Sequence, residues 1–159
     1  LVTRPREQSE NLAALIAKNG GVPFIFPTLE ILPIDPVGGW EELPQILKDT
    51  DIIIFTSANA VREVLSKKIL QTSQSEIAAI GTATHAAITE FGICCDWLPM
   101  KDYRSEGLLD LPVFQKINNK KIILFAGEGG RDYLQNILEE RGAKVEKIAV
   151  YRRICPSPD

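Results

Sequence analysis

The sequence predicts an α/β fold in which a parallel sheet carries helices on both faces. Three observations support this. Short apolar runs recur along the 159 residues, each run leads through Gly, Ser or Thr into a helical period, and several runs are apolar without a break. Uninterrupted runs such as Ile52-Ile53-Ile54-Phe55 suit strands covered on both faces, because half-exposed strands alternate. Strands that alternate with helices imply parallel pairing through right-handed crossovers.

In chain order, strands are expected at Leu1–Thr3, Val22–Phe26, Asp51–Thr56, Glu76–Ile80, Lys121–Phe125 and Val145–Tyr151, with a weaker one at Ile93–Trp97. Between them, Leu12, Leu15 and Ile16, then Val61, Val64, Leu65 and Ile69, then Leu134, Ile137 and Leu138 recur at i, i+3 and i+4. Each set places one apolar stripe against the sheet. A further helix is expected over Thr84–Phe91, and Gly20, Gly92 and Gly142 stand where left-handed caps end helices. Ser57 and Thr82 suit helix N-caps.

The pattern breaks once, at Phe26–Pro36, where Pro27, Pro33 and Pro36 forbid a helix and disfavour a central strand. Leu29, Ile31 and Ile34 suit an extended segment, and Ile148–Arg153 forms a second one that ends in Cys155-Pro156-Ser157-Pro158. Read as two antiparallel connectors at 29–34 and 148–153, they bracket a complete domain at 35–150. That domain should hold five parallel strands near 51–56, 76–80, 93–97, 121–125 and 145–150. A single sheet with an exposed edge is the alternative. Residues 1–28 then amount to β-α-β, an incomplete first domain whose remainder is expected after residue 153. Leu1 opens inside a strand, so residues are expected before it as well. An incomplete unit exposes an apolar face, which favours self-association through that unit.

Composition narrows the function. Hydrophobic residues make up 45% and charged residues 25%, the balance of a globular domain rather than a disordered chain. A net charge of −3 argues against nucleic-acid partners. No apolar run approaches the roughly 18–20 residues that span a bilayer, and nothing resembling a signal peptide opens the chain. Cys94, Cys95 and Cys155 are odd in number and lack ligand spacing, which suggests a reducing, cytoplasmic setting and no metal site.

In open parallel sheets, ligands bind beyond the carboxyl ends of the strands. Four such ends carry small polar residues: Thr3–Arg6, Thr56–Ala60, Gly81–Thr84 and Gly127–Arg131. Arg4, Ser57, Asn59, Thr82 and Thr84 are the candidate binding side chains. Gly127 and Gly129, with Gly130, would let a ligand approach the main chain, and helix N-termini favour carboxylates or phosphates. Capping and tight turns alone explain any one of these ends; four on one edge suggest a cleft for a polar ligand. Neither a Walker A motif nor G-x-G-x-x-G is present, and there is no G-x-S-x-G elbow. His85 reads as a packed or surface residue, Glu139-Glu140 as a solvated face, and Cys94 and Cys95 as buried hydrophobes on one strand. Tyr151, beside Arg152 and Arg153, ends a strand at the mouth between the two expected domains, where an ordinary connector aromatic is the other reading.

Taken in order, Thr3-Arg4-Pro5, Phe55-Thr56-Ser57-Ala58-Asn59-Ala60-Val61, Gly81-Thr82-Ala83-Thr84, Ser105-Glu106-Gly107-Leu108-Leu109, Gly127-Glu128-Gly129-Gly130-Arg131 and Val150-Tyr151-Arg152-Arg153 resemble the uroporphyrinogen-III synthase family. The resemblance implies two similar flavodoxin-like domains joined by a two-stranded connector, the second inserted in the first. It also implies that the first domain is completed by units beyond the second connector, so a chain ending here would be a shortened, inactive form. The implied reaction closes the linear tetrapyrrole hydroxymethylbilane to uroporphyrinogen III, with loss of water and inversion of ring D, using neither metal nor organic cofactor. Departure of the hydroxyl gives an azafulvene, and attack from the substituted carbon of ring D gives a spiro intermediate. Eight substrate carboxylates call for many N–H donors rather than one strong base, which suits these loops. Tyr151 matches the family tyrosine considered as proton donor to the departing hydroxyl; a phenol ordinarily keeps its proton at neutral pH. The competing reading is a non-enzymatic flavodoxin-like binding or regulatory module. A phosphoacceptor receiver would need acidic strand ends where this chain has Thr, Ser and Gly.

Overall fold

A computed structural model of the chain describes residues 1–70 and 74–156, so that Ser157 and Pro158 of the expected tail lie outside the described residues. The chain forms two compact units, Leu1–Leu32 with Arg152–Asp159, and Pro33–Tyr151.

In the first unit, α1 (Glu10–Lys18) follows a 3-10 turn at Arg6–Gln8. The two strands expected there shrink to one parallel bridge between Val2 and Ile25. It is closed by Val2 N–H to Phe24 O at 2.7 Å and Phe26 N–H to Val2 O at 2.8 Å. Helix α1 buries none of its residues, whereas Val2 is buried. Strand β1 (Glu30–Pro33) begins in this unit.

The second unit holds α2 (Leu43–Lys48), β2 (Ile52–Phe55), α3 (Ala58–Ser66), β3 (Glu76–Ala79), α4 (Thr82–Glu90) and α5 (Ser105–Leu109). A 3-10 turn at Pro112–Gln115 leads to β4 (Lys121–Gly127), α6 (Tyr133–Glu140) and β5 (Lys144–Ile154), whose last three residues lie in the first unit. Strands β3, β2, β4 and β5 are neighbours in that order and all parallel. Strand β1 lies beside β5 as the one antiparallel pair, with Ile34 N–H bonded to Val150 O at 3.1 Å, so the sheet is mixed rather than purely parallel.

The weak strand expected at Ile93–Trp97 is reduced to a single parallel bridge, Ala78 to Trp97. The Asp96 carboxylate accepts the Ile77 N–H at 2.8 Å, taking a donor that a ladder would need. Nor are the two cysteines buried hydrophobes on a strand: Cys94 is exposed, and Cys95 is half-buried. Burial pushes the Cys95 thiol above its ordinary pKa of 9.0.

The core follows the uninterrupted runs. Ile52, Ile53, Ile54 and Phe55 are all buried, and the Phe55 and Phe125 rings stack at 5.4 Å. Ile52, Ile54, Ile122 and Leu124 meet Leu108, Leu109, Phe114, Leu134 and Leu138 on one face. Strand alternation turns Ile53, Phe55, Ile123 and Phe125 to the other, where α3 packs on β2 and β4 and α4 packs on α3. The short helices α2 and α5 have no expectation behind them, since five or six residues show too little periodicity to read.

Helices α1, α4 and α6 end in the same Schellman arrangement. In α6, Ala143 N–H bonds Leu138 O at 3.1 Å and Gly142 N–H bonds Glu139 O at 2.9 Å, with Gly142 at φ 86°. Among the described residues no helix is long and apolar enough to cross a membrane.

Candidate functional site

Because β4, β2 and β3 are adjacent and parallel, their carboxyl ends lie side by side on one edge of the second unit. Three of the four polar segments stand there: Thr56–Ala60 after β2, Gly81–Thr84 after β3 and Gly127–Arg131 after β4. The fourth, with exposed Arg4, belongs to the first unit, where the Arg4 carbonyl accepts the Ser9 hydroxyl at 3.2 Å.

Ser57 is the N-cap of α3. Its extended backbone, φ −164° and ψ 157°, aims the side chain back at the helix, and Oγ accepts the Ala60 N–H at 3.2 Å. The same hydroxyl donates to the Tyr151 phenol oxygen at 3.0 Å. Asn59 sits half-buried in the first turn. At the next strand end the cap is Gly81, extended at φ −169°, and Thr82 is the first helical residue rather than the cap. The reason is local: Gly81 O accepts His85 N–H at 2.9 Å, which starts α4 one residue earlier than the capping pattern suggests. Thr82 is exposed, whereas Thr84 is buried at 4% and turned into the packing. His85 is half-buried.

Tyr151 owes its place to a bulge. Ala126 pairs with Ala149, but Gly127 pairs with Tyr151, which leaves Val150 as the extra residue on β5. Bulges of this kind re-aim a side chain. Tyr151 is 2% exposed, and its ring lies where a Cβ on Gly127 would stand 2.6 Å from Cζ. Two expectations change accordingly. The bare face of Gly127 receives the protein's own tyrosine rather than a ligand, and Tyr151 is a buried residue inside β5, which continues to Ile154. Gly129 is open: at φ 71° it is exposed, with nothing within 4 Å of where a Cβ would stand.

The Ser105–Leu109 motif also gains a reason. A Cβ on Gly107 would collide with the Asp102 carbonyl, and one on Gly81 would lie 3.3 Å from Tyr103 Cβ. Gly107 therefore lets Asp102 close on α5, and Gly81 seats Tyr103 at the end of β3. Arg104 holds Asp102 through Nε at 2.7 Å and Nη2 at 2.9 Å, and these bonds keep the Asp102 carboxyl below its ordinary 3.8.

Two residues with no sequence expectation complete the edge. Lys147 Nζ donates to Gly130 O at 2.9 Å and to Asp132 Oδ1 at 2.7 Å. The available signal was a lysine inside the otherwise apolar run Val145–Tyr151. Among the described residues no three His, Cys, Asp or Glu side chains stand close enough to share a metal ion. What the edge offers is main-chain N–H at helix starts, hydroxyls, and an exposed arginine at 131, chemistry that matches carboxylates. The opposite edge has a depression of about 460 Å³ lined by Asp49, Lys121, Lys144 and Glu146 among others. Its two acids and two lysines give it no preference for a polyanion.

Known proteins resemble this chain over most of its length. The family described as Uroporphyrinogen-III synthase HemD matches residues 10–159. The uroporphyrinogen-III synthase of Escherichia coli (strain K12) is 30% identical over 163 residues, covering 96% of this chain and 64% of that protein. That of Proteus mirabilis is 30% identical over 159 residues, covering 97% of this chain and 79% of that protein. Among solved structures, a mutant uroporphyrinogen III synthase from the extremely thermophilic bacterium Thermus thermophilus superimposes with a TM-score of 0.64 at 22% identity. That match covers 94% of this chain and 60% of the other. The chain spans less than two thirds of the Escherichia coli protein and of that structure.

Proposed function

The chain belongs to the uroporphyrinogen-III synthase family, and from that premise we propose that its strand-end loops hold a linear tetrapyrrole while it closes. Since the chain spans 64% of its Escherichia coli relative, the reaction is proposed for the whole protein and carboxylate binding for the chain. The reaction takes hydroxymethylbilane to uroporphyrinogen III and one water. The carbon–oxygen bond of the hydroxymethyl group breaks, and the new ring-closing bond forms at ring D, which ends inverted.

One observation carries the reading: the polar segments at Ser57, Thr82 and Gly127 emerge from three adjacent strands on one edge. Such an edge presents many fixed N–H donors to a polycarboxylate and needs no strong base. Holding the substrate in one geometry is the main requirement where closure proceeds unaided to another isomer. Ser57, Asn59, Thr82 and the main chain at Gly129 are the proposed binding groups of this unit. Arg4 is the proposed carboxylate-binding cation of the first unit.

Tyr151 is the proposed proton donor to the departing hydroxyl, with its phenol set by Gly127 and Ser57. Single-turnover conversion of hydroxymethylbilane by the whole protein, with isomers I and III separated, tests both parts. Isomer III in excess over unaided closure supports the function, and isomer I alone contradicts it. Tyr151→Phe is expected to slow the reaction toward the lower end of the general-acid range of about 10²–10⁴-fold, leaving the isomer outcome intact. A rate within about twofold of wild type removes Tyr151 from the chemistry and leaves positioning alone.

A further inference from the structure

Lys147 is buried to an unusual degree for a lysine on a strand: its side chain is 19% exposed, against 68% for its partner Asp132. Both of its acceptors, Gly130 O and Asp132 Oδ1, belong to the segment between β4 and α6. Asp132 stands at the N-cap of α6 yet makes no side-chain bond to that helix; its carboxylate turns to Lys147 instead. At the other end of the segment, Glu128 N–H is bonded to Tyr151 O at 2.8 Å. Between these anchors lies Gly129, left-handed and unobstructed. A Gly-Glu-Gly-Gly stretch is the most freely jointed backbone on this edge, and donors that must meet an anion in fixed directions act best when they are ordered beforehand.

We propose that Lys147 is a positioning residue for tetrapyrrole binding: it ties Gly130 and Asp132 to β5 and so orders the 128–131 main chain that faces the substrate carboxylates. Its own charge is committed to Asp132 and is not the group that meets the ligand. This inference rests on the functional reading above, and its test separates the two. Uroporphyrin III, a stable octacarboxylate, serves as probe, and backbone order parameters report the segment directly.

In wild type, Gly129 and Gly130 are expected near the rigid value of about 0.85, and in Lys147→Met below about 0.6, with Ile122–Phe125 unchanged. Affinity for uroporphyrin III is expected to fall about tenfold in Lys147→Met, equivalent to about 1.4 kcal/mol. Lys147→Arg should restore most of both readouts, which a loss of folding would not permit, and Asp132→Asn should fall between. Order parameters unchanged in Lys147→Met overturn the proposal. So does a loosened segment with unchanged affinity, while wild-type binding keeps the functional reading intact. A wild type that binds no uroporphyrin III defeats the functional reading, and the binding role of Lys147 with it.

Discussion

Helices α1 and α3 are each nine residues long, and each carries an apolar stripe at helical spacing. In the second unit α3 buries Ala60, Val61, Val64 and Leu65. In the first, α1 buries nothing: Leu15 is 57% exposed, and Val22 and Phe24 beside it in sequence are 93% and 65% exposed. The difference lies in the neighbours. Helix α3 has β2, β4 and α4 to pack on, whereas the described residues of the first unit hold one parallel bridge, most of the short β1 and the last three residues of β5. Periodicity therefore specifies which face of a helix is apolar, and the number of adjacent elements decides whether that face leaves water.

The largest test of this contrast is truncation on either side of it. Phe125→Ala, in the middle of β4, should cost about 3–5 kcal/mol, read as a lower urea midpoint for the second unit. Leu15→Ala should stay within about 0.5 kcal/mol. Equal losses would break the comparison, because they would require burial that α1 does not have among the described residues.

Gly127→Ala should come next, at about 1–3 kcal/mol. The added methyl meets the Tyr151 ring, which is enclosed and must shift. Near-UV circular dichroism should change with it, and an unaltered tyrosine signal would mean that the ring is not seated on Gly127. Smaller still is Gly142→Ala set against Gly20→Ala. Both residues have positive φ, so each substitution carries about 1 kcal/mol of backbone strain. Only the methyl at 142 also crowds Asn118, since nothing lies within 4 Å at position 20. The excess at 142 measures how much tighter the second unit is around the same cap.

The smallest expected effect is electrostatic, at the amino edge of the sheet. Asp51 accepts from Lys120 Nζ at 2.7 Å and from Lys121 N–H at 2.8 Å. The Lys120 bond, then the Lys121 N–H, hold its carboxyl below the ordinary 3.8. The stability this adds is complete above the unfolded value and is lost as pH falls through the lower folded value. The urea midpoints of wild type and Asp51→Asn should thus differ modestly at pH 7 and converge below about pH 4. A constant gap down to about pH 2 would remove Asp51 as the cause.

Much of this architecture was legible in the sequence. Uninterrupted runs such as Ile52–Phe55 marked strands buried on both faces, and Gly20, Gly92 and Gly142 marked helix ends, because these signals act within a few residues of themselves. Where a long-range partner decides, the sequence was silent or misleading. The strand at 93–97 lost its ladder to the Asp96 side chain. Gly127 read as room for a ligand because Tyr151, far along the chain, fills that room only through the bulge at Val150. Lys147 passed unnoticed because its partners, Gly130 and Asp132, look like ordinary loop residues until β4 and β5 pair. At the candidate site, residue types were therefore readable, but the contacts among them were not.

The carboxyl edge of β4, β2 and β3 is the proposed binding place of a tetrapyrrole polycarboxylate. Titrating the protein with uroporphyrin III while following backbone amide resonances tests it most directly. Shifts should concentrate at Ser57–Ala60, Thr82–Thr84 and Glu128–Arg131, and leave Asp51, Lys121 and Lys144 at the opposite edge unmoved. Shifts centred on that opposite edge, or none at any ligand concentration, would contradict it.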